Sequence, residues 1–186
     1  MESKEINRHR DNKEEQFPIV DEQGNILGVI SRGHAHDGCK ILHPVVHLHV
    51  FNSSGQLYLQ LRPKWKDIQP GKWDTAVGGH VDYGEETEDA LRREVREELG
   101  MEDFSPNFEM RYVFECERER ELVNVFATVY DGGITPSGET DGGRFFDQEE
   151  IKMLSGKGLF TPNFESEYKR LCENGVLSKY STTYCP

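Results

Sequence analysis

Residues 79–101 read GHVDYGEETEDALRREVREELGM. Ala90, Leu91, Val95 and Leu99 recur at helical spacing, so one side of this segment is apolar and its other side is free for charge. Thr87 predicts the N-cap and Gly100 a left-handed stop. On that helix Glu94, Glu97 and Glu98 stand at i, i+3 and i+4, a spacing that puts neighbouring Cβ atoms about 5–6 Å apart. Three like charges so close repel, and a hard divalent cation such as Mg²⁺ or Mn²⁺ is the natural counter-charge for oxygen ligands. Such an ion keeps waters and accepts substrate phosphates, so the stripe points to chemistry at a phosphate or diphosphate.

The rest of the chain sets limits on that chemistry. Its 186 residues suit one domain with some additions. A formal net charge of −12 argues against a nucleic-acid partner, which calls for a basic footprint. A small phosphorylated substrate stays compatible, because a bound metal reverses the local field. No apolar run has membrane-spanning length and the first residues, MESKEINRHRDNKEEQ, carry no signal-peptide core, so a cytoplasmic location with no membrane partner is expected. Cys39, Cys116, Cys172 and Cys185 are widely spaced, which predicts reduced thiols. The sequence leaves the oligomeric state open, a homodimer included.

Residues 1–16 hold too few apolar groups for a core element and are expected to form a charged tail, with one domain over 17–186. FPIV and ILGVI flank Asp21–Asn25 as a hairpin; VVHLHVFN and QLYLQLR flank Ser53-Ser54-Gly55 as a second. Val46, Leu48 and Val50 share one face of that strand, leaving His47 and His49 on the other as polar pocket or surface residues. After the helix, FEMRYVFECE and ELVNVFATVY read as strands and GGRFFD as a short one. Asp147 with Glu150 resembles a capping box, and Thr161-Pro162 opens a last helix that ends near Gly175.

Gly79, five residues, Glu85, seven residues, Arg93-Glu94-Val95, one residue, Glu97-Glu98, one residue, Gly100 resembles the complete Nudix box. The resemblance implies an α/β fold with a mixed sheet between helices. It also implies a hydrolase that cleaves the diphosphate linkage of a nucleotide-type or other small organic diphosphate with metal-activated water. Mg²⁺ or Mn²⁺ would be held by Glu94, Glu97, Glu98 and the Gly78 carbonyl, and Glu85 with Arg93 would give structural support. The general base would be Glu97 or Glu98, or Glu139 from the SGETDGG loop.

A longer stretch, from AHDGCKILHPVVHLHVF to WDTAVGGHV and on through the later strands to FTPNFESEY, is similar to the isopentenyl-diphosphate isomerase branch of the same superfamily. That branch implies a second metal set, here His36, His43, His80, Glu119 and Glu121, of a composition suited to Mn²⁺, Fe²⁺ or Zn²⁺. Its catalytic cysteine falls where this chain has Gly78, so the acid/base thiol is missing and hydrolysis is the favoured expectation. An isomerase-like enzyme and a non-catalytic ligand sensor on the same fold are the alternatives.

Overall fold

The computed structural model describes residues 12–65, 69–138 and 140–181. Most of the expected tail and the general-base candidate Glu139 therefore lie outside the described residues, as does Cys185. β1 (Gln16–Val20) and β2 (Ile26–Ser31) form the expected hairpin, closed by Asp21, whose carboxylate accepts from the Gln23 and Asn25 backbone N–H groups. A short helix α1 (Arg32–Ala35), not foreseen, leads into β3 (Leu42–Phe51), which is buried along its whole length.

β4 (Leu57–Leu61) follows the expected turn, but only Phe51 and Leu57 remain in register, and the two arms then part. The reason is competition for one edge. β5 (Trp73–Asp74) pairs with β4, while β6 (Val77–His80) takes the β3 edge over Val45–Leu48. The opposite edge of β3 pairs in parallel with β8 (Arg120–Val129), itself antiparallel to β7 (Asn107–Glu115). With β9 (Gly143–Phe146) on β4, this is a mixed seven-stranded sheet beside the separate β1–β2 ribbon.

The box helix is α2 (Thr87–Leu99), with Glu86 rather than Thr87 at the N-cap and Gly100 left-handed at φ 63°. Its buried side, Ala90, Leu91, Val95 and Leu99, packs on Val46, Leu48 and Val50. α3 (Gln148–Leu154) starts after Asp147, but the capping box does not close. The missing half is the Asp147 carboxylate, which accepts from Gln56 Nε2 at 3.0 Å instead of capping the helix, while Arg144 holds both oxygens of Glu150 at 2.6 and 3.1 Å. Thr161 does cap α4 (Pro162–Glu173), accepting from the Phe164 N–H at 3.1 Å. Gly175 then opens a further short helix, α5 (Val176–Tyr180). α4 lays Phe164, Tyr168 and Leu171 on the other face of the sheet, against Val45, Val123 and Val125. The architecture is α/β, a mixed sheet between α2 and α4. No helix among the described residues is long and apolar enough to cross a membrane.

Candidate functional site

Strand periodicity divides β6 between two compartments. Successive side chains of a strand point to opposite faces, so Gly79 faces α2 while Gly78 and His80 face the α4 side beside His47 and Val45. A Cβ on Gly79 would fall inside the Glu94 carboxylate. Glycine is needed there for space, and it lets the helix seat an acid directly against the strand. Arg93 fixes that geometry. It grips Glu85 bidentately at 2.8 and 3.0 Å, donates to Glu94 at 2.7 Å, and donates to the His80 carbonyl at 3.0 Å. Burial raises the pKa of Glu94, with Arg93 opposing the rise. Glu97 is half-exposed with its oxygen 3.8 Å from Arg93, and Glu98 accepts from Gln60 at 3.3 Å. Among the described residues the three carboxylates do not converge within 4.8 Å of one another.

A different set does. Ligand atoms of His36, His43, His80 and Glu121 all lie within 4.8 Å of each other. Glu121 stands opposite His43 in the β3–β8 register, and Phe17 of the ribbon stacks on His80 at 4.4 Å, closing the group from above. The His36 and His80 Nε2 atoms are 3.1 Å apart, and a Glu119 oxygen lies 3.4 Å from His36 Nε2. Ligands bonded at about 2.0–2.2 Å to one ion are spaced by roughly 3 Å, so these separations suit a shared cation. His43 donates its Nδ1–H to the Ile41 carbonyl at 3.0 Å, which leaves a lone pair on Nε2. That Nε2 is buried without a hydrogen-bond partner. Burial lowers the pKa of His43 and His80, favouring the neutral form that ligates metal. Burial, then repulsion from Glu119, pushes Glu121 up to about 7. An orphaned lone pair, neutral imidazoles and an uncompensated buried acid together fit a divalent cation.

The α4 side also holds a network that sequence reasoning missed. Glu167 is fully buried and accepts three hydrogen bonds: from His47 Nδ1–H at 2.8 Å, His49 Nε2–H at 2.6 Å and Tyr112 O–H at 2.6 Å. His47 and His49 are thus interior residues rather than surface ones. The signal was in α4 itself: Phe164, Glu167, Tyr168 and Leu171 occupy i, i+3, i+4 and i+7 of its apolar stripe, so an acid there required buried partners.

Burial alone would push His47 down, but the Glu167 charge and hydrogen bond, with Glu121 and Asp74 farther off, lift it to about 9. Burial would likewise raise Glu167, yet His47 and His49 hold it well below the usual carboxylate range. A histidine with a raised pKa contributes stability that is complete below its unfolded value of about 6.5 and is lost as it deprotonates. The chain should therefore lose thermal stability as pH climbs from 6.5 through about 9. Thermal denaturation across that range checks it: Glu167→Gln should flatten the slope, and an equal slope in that variant would contradict the pairing.

Comparison with known proteins follows the same lines. A model described as the NUDIX domain matches residues 41–164. An uncharacterized Nudix hydrolase of Pseudomonas aeruginosa is 33% identical over 140 residues, covering 75% of this chain and 82% of that protein. An isopentenyl-diphosphate Delta-isomerase of Citrobacter koseri is 40% identical over 88 residues, covering 47% of this chain and about half, 49%, of that enzyme. Among solved structures, DR0079 from Deinococcus radiodurans superposes with a TM-score of 0.72 at 24% identity, covering 84% of this chain and 98% of that one. That last likeness concerns the fold.

Proposed function

The chain belongs to the Nudix family of hydrolases, which act on pyrophosphate bonds, and from that premise we propose a Mg²⁺- or Mn²⁺-dependent pyrophosphohydrolase of a small organic diphosphate. The supporting observation is the seating of Glu94 against side-chain-free Gly79, locked by the Arg93 fork. Glu94, Glu97, Glu98 and the Gly78 carbonyl would hold the ion. When bound, it would polarise the diphosphate and lower the pKa of water. Glu85 and Arg93 keep the helix and strand at a fixed separation. Glu97 or Glu98, or alternatively Glu139 from outside the helix, would take the proton of the attacking water.

The His36, His43, His80, Glu119 and Glu121 set is the proposed second centre, for Mn²⁺, Fe²⁺ or Zn²⁺. It is also the observation that favours an isomerase-like second reading. That reading lacks its thiol, since β6 carries Gly78 and none of the described cysteines, Cys39, Cys116 and Cys172, lies on that strand.

A panel of nucleoside di- and triphosphates, dinucleoside polyphosphates, nucleotide sugars, coenzyme A and prenyl diphosphates, assayed with each metal, separates the readings. Metal-dependent release of phosphate or pyrophosphate supports hydrolysis. A dimethylallyl product without phosphate release supports isomerisation, and binding with no turnover supports a sensor. Gly79→Ala drives a methyl into the Glu94 carboxylate. A displacement near 1 Å at a reacting centre costs about a hundredfold, so kcat/KM should fall by that order while thermal denaturation still reports a folded chain.

A further inference from the structure

We propose that His47 is a substrate-contacting residue. It presents its Nε2 edge, across Gly78, to a phosphate oxygen of the diphosphate substrate, and Glu167 and Tyr112 are the positioning residues that hold it there. The inference rests on the hydrolase reading and deepens it by naming a contact on the α4 side of β6.

Three observations carry it. The first is that the imidazole is clamped by one edge only. Its Nδ1 is 2.8 Å from Glu167, a carboxylate that also takes His49 and Tyr112 at 2.6 Å each, so turning the ring over would strip a buried acid of a donor. The second is that the other edge is unused. His47 is about nine-tenths buried, with side-chain exposure of 10%, and its Nε2 makes no hydrogen bond among the described residues.

The third is the opening beside it. His47 and Gly78 stand directly opposite in the β3–β6 register, with their side-chain positions on the same face. Gly78 is exposed, and a Cβ built on it would lie 3.4 Å from both His47 Cδ2 and His47 Nε2. Glycine at 78 therefore leaves the one free edge of a buried imidazole uncovered at the exposed surface of β6.

The neighbourhood selects the ligand class. Glu121 lies on one side and Glu94 behind Gly79, so an anion crossing β6 needs a donor at that place. With Nδ1–H given to Glu167, the outward Nε2 carries a hydrogen in the imidazolium form of the ring, where it is a directional donor suited to a phosphate oxygen.

The test uses the full chain and inorganic pyrophosphate as the probe, with Mn²⁺ present, by isothermal titration calorimetry. Steady-state kinetics on the best substrate of the panel run beside it. His47→Gln and Gly78→Ala should each weaken pyrophosphate binding about tenfold, a loss of roughly 1.4 kcal/mol. KM should rise similarly, and kcat should change much less. Because Gly78→Ala covers His47 without touching its buried partners, the double variant should bind no worse than the weaker single one.

Unchanged pyrophosphate affinity in folded His47→Gln overturns the proposal, as does full additivity in the double variant. Loss of one bound Mn²⁺ equivalent in His47→Gln overturns it too, by making His47 a metal ligand. If His47→Gln fails to fold, Gly78→Ala alone decides. The calorimetric arm does not need turnover, so it stands apart from failure of the hydrolase reading: a wild-type chain that hydrolyses nothing still gives or withholds the affinity difference.

Discussion

Glu97→Gln and Glu98→Gln are each expected to lower kcat by roughly a thousandfold, in line with removing a positioned proton acceptor. The fold should not be at stake. Glu97 is 52% exposed at its side chain, and exposed substitutions usually move stability by about 0.5 kcal/mol or less. Glutamine keeps the length and a hydrogen-bonding oxygen and removes the charge, so the loss would report charge on the stripe rather than packing. Rates measured on the best panel substrate, alongside melting curves, decide the matter. Wild-type rates in both variants would end the assignment of metal to this helix.

The second large effect belongs to the histidine set. A cation that binds only the folded chain stabilises it by about 4 kcal/mol at a thousand times its Kd. For a domain of this size that corresponds to a rise in Tm of roughly 10 °C. Mn²⁺ or Zn²⁺ added to metal-free protein should produce such a rise. His43→Ala, which removes the orphaned Nε2, should lose most of it. Binding should tighten as pH climbs through about 7, because Glu121 must give up its proton to ligate. Titration followed by metal analysis checks the stoichiometry, and full stabilisation retained in His43→Ala would remove His43 from the ligand set.

How far the sequence foretold this structure depended on the range of the forces involved. The box helix was legible to within one residue because its apolar stripe and the left-handed Gly100 act within a few turns. The β3 face pattern was legible for the same local reason. The parallel β3–β8 pairing was not read, since it joins residues about 78 positions apart, as in His43 with Glu121, and strand alternation names no partner. The splaying of β3 from β4 followed from β6 claiming the shared edge, which is again a long-range choice.

Residue by residue, the site shows the same division. His36, His43, His80, Glu119 and Glu121 came from resemblance, and the fold brings them together from the α1 C-cap, β3, β6, the β7–β8 turn and β8. Glu167 was readable in principle from its place on the α4 stripe, but nothing local tied it to His47, 120 residues away. The Asp147 capping box failed because the Asp147 carboxylate accepts from Gln56, far away in the sequence, rather than from the helix. Local signals gave the elements; the partners of charged groups had to be seen.

The central claim is metal-dependent hydrolysis of a diphosphate linkage, and its most direct test is turnover in oxygen-18 water. Mass spectrometry of the products, with and without Mn²⁺ or Mg²⁺, should find one solvent oxygen in a phosphate product, and only when metal is present. Conversion of isopentenyl diphosphate with its diphosphate intact and unlabelled, together with no labelled phosphate from any other diphosphate tried, would contradict it.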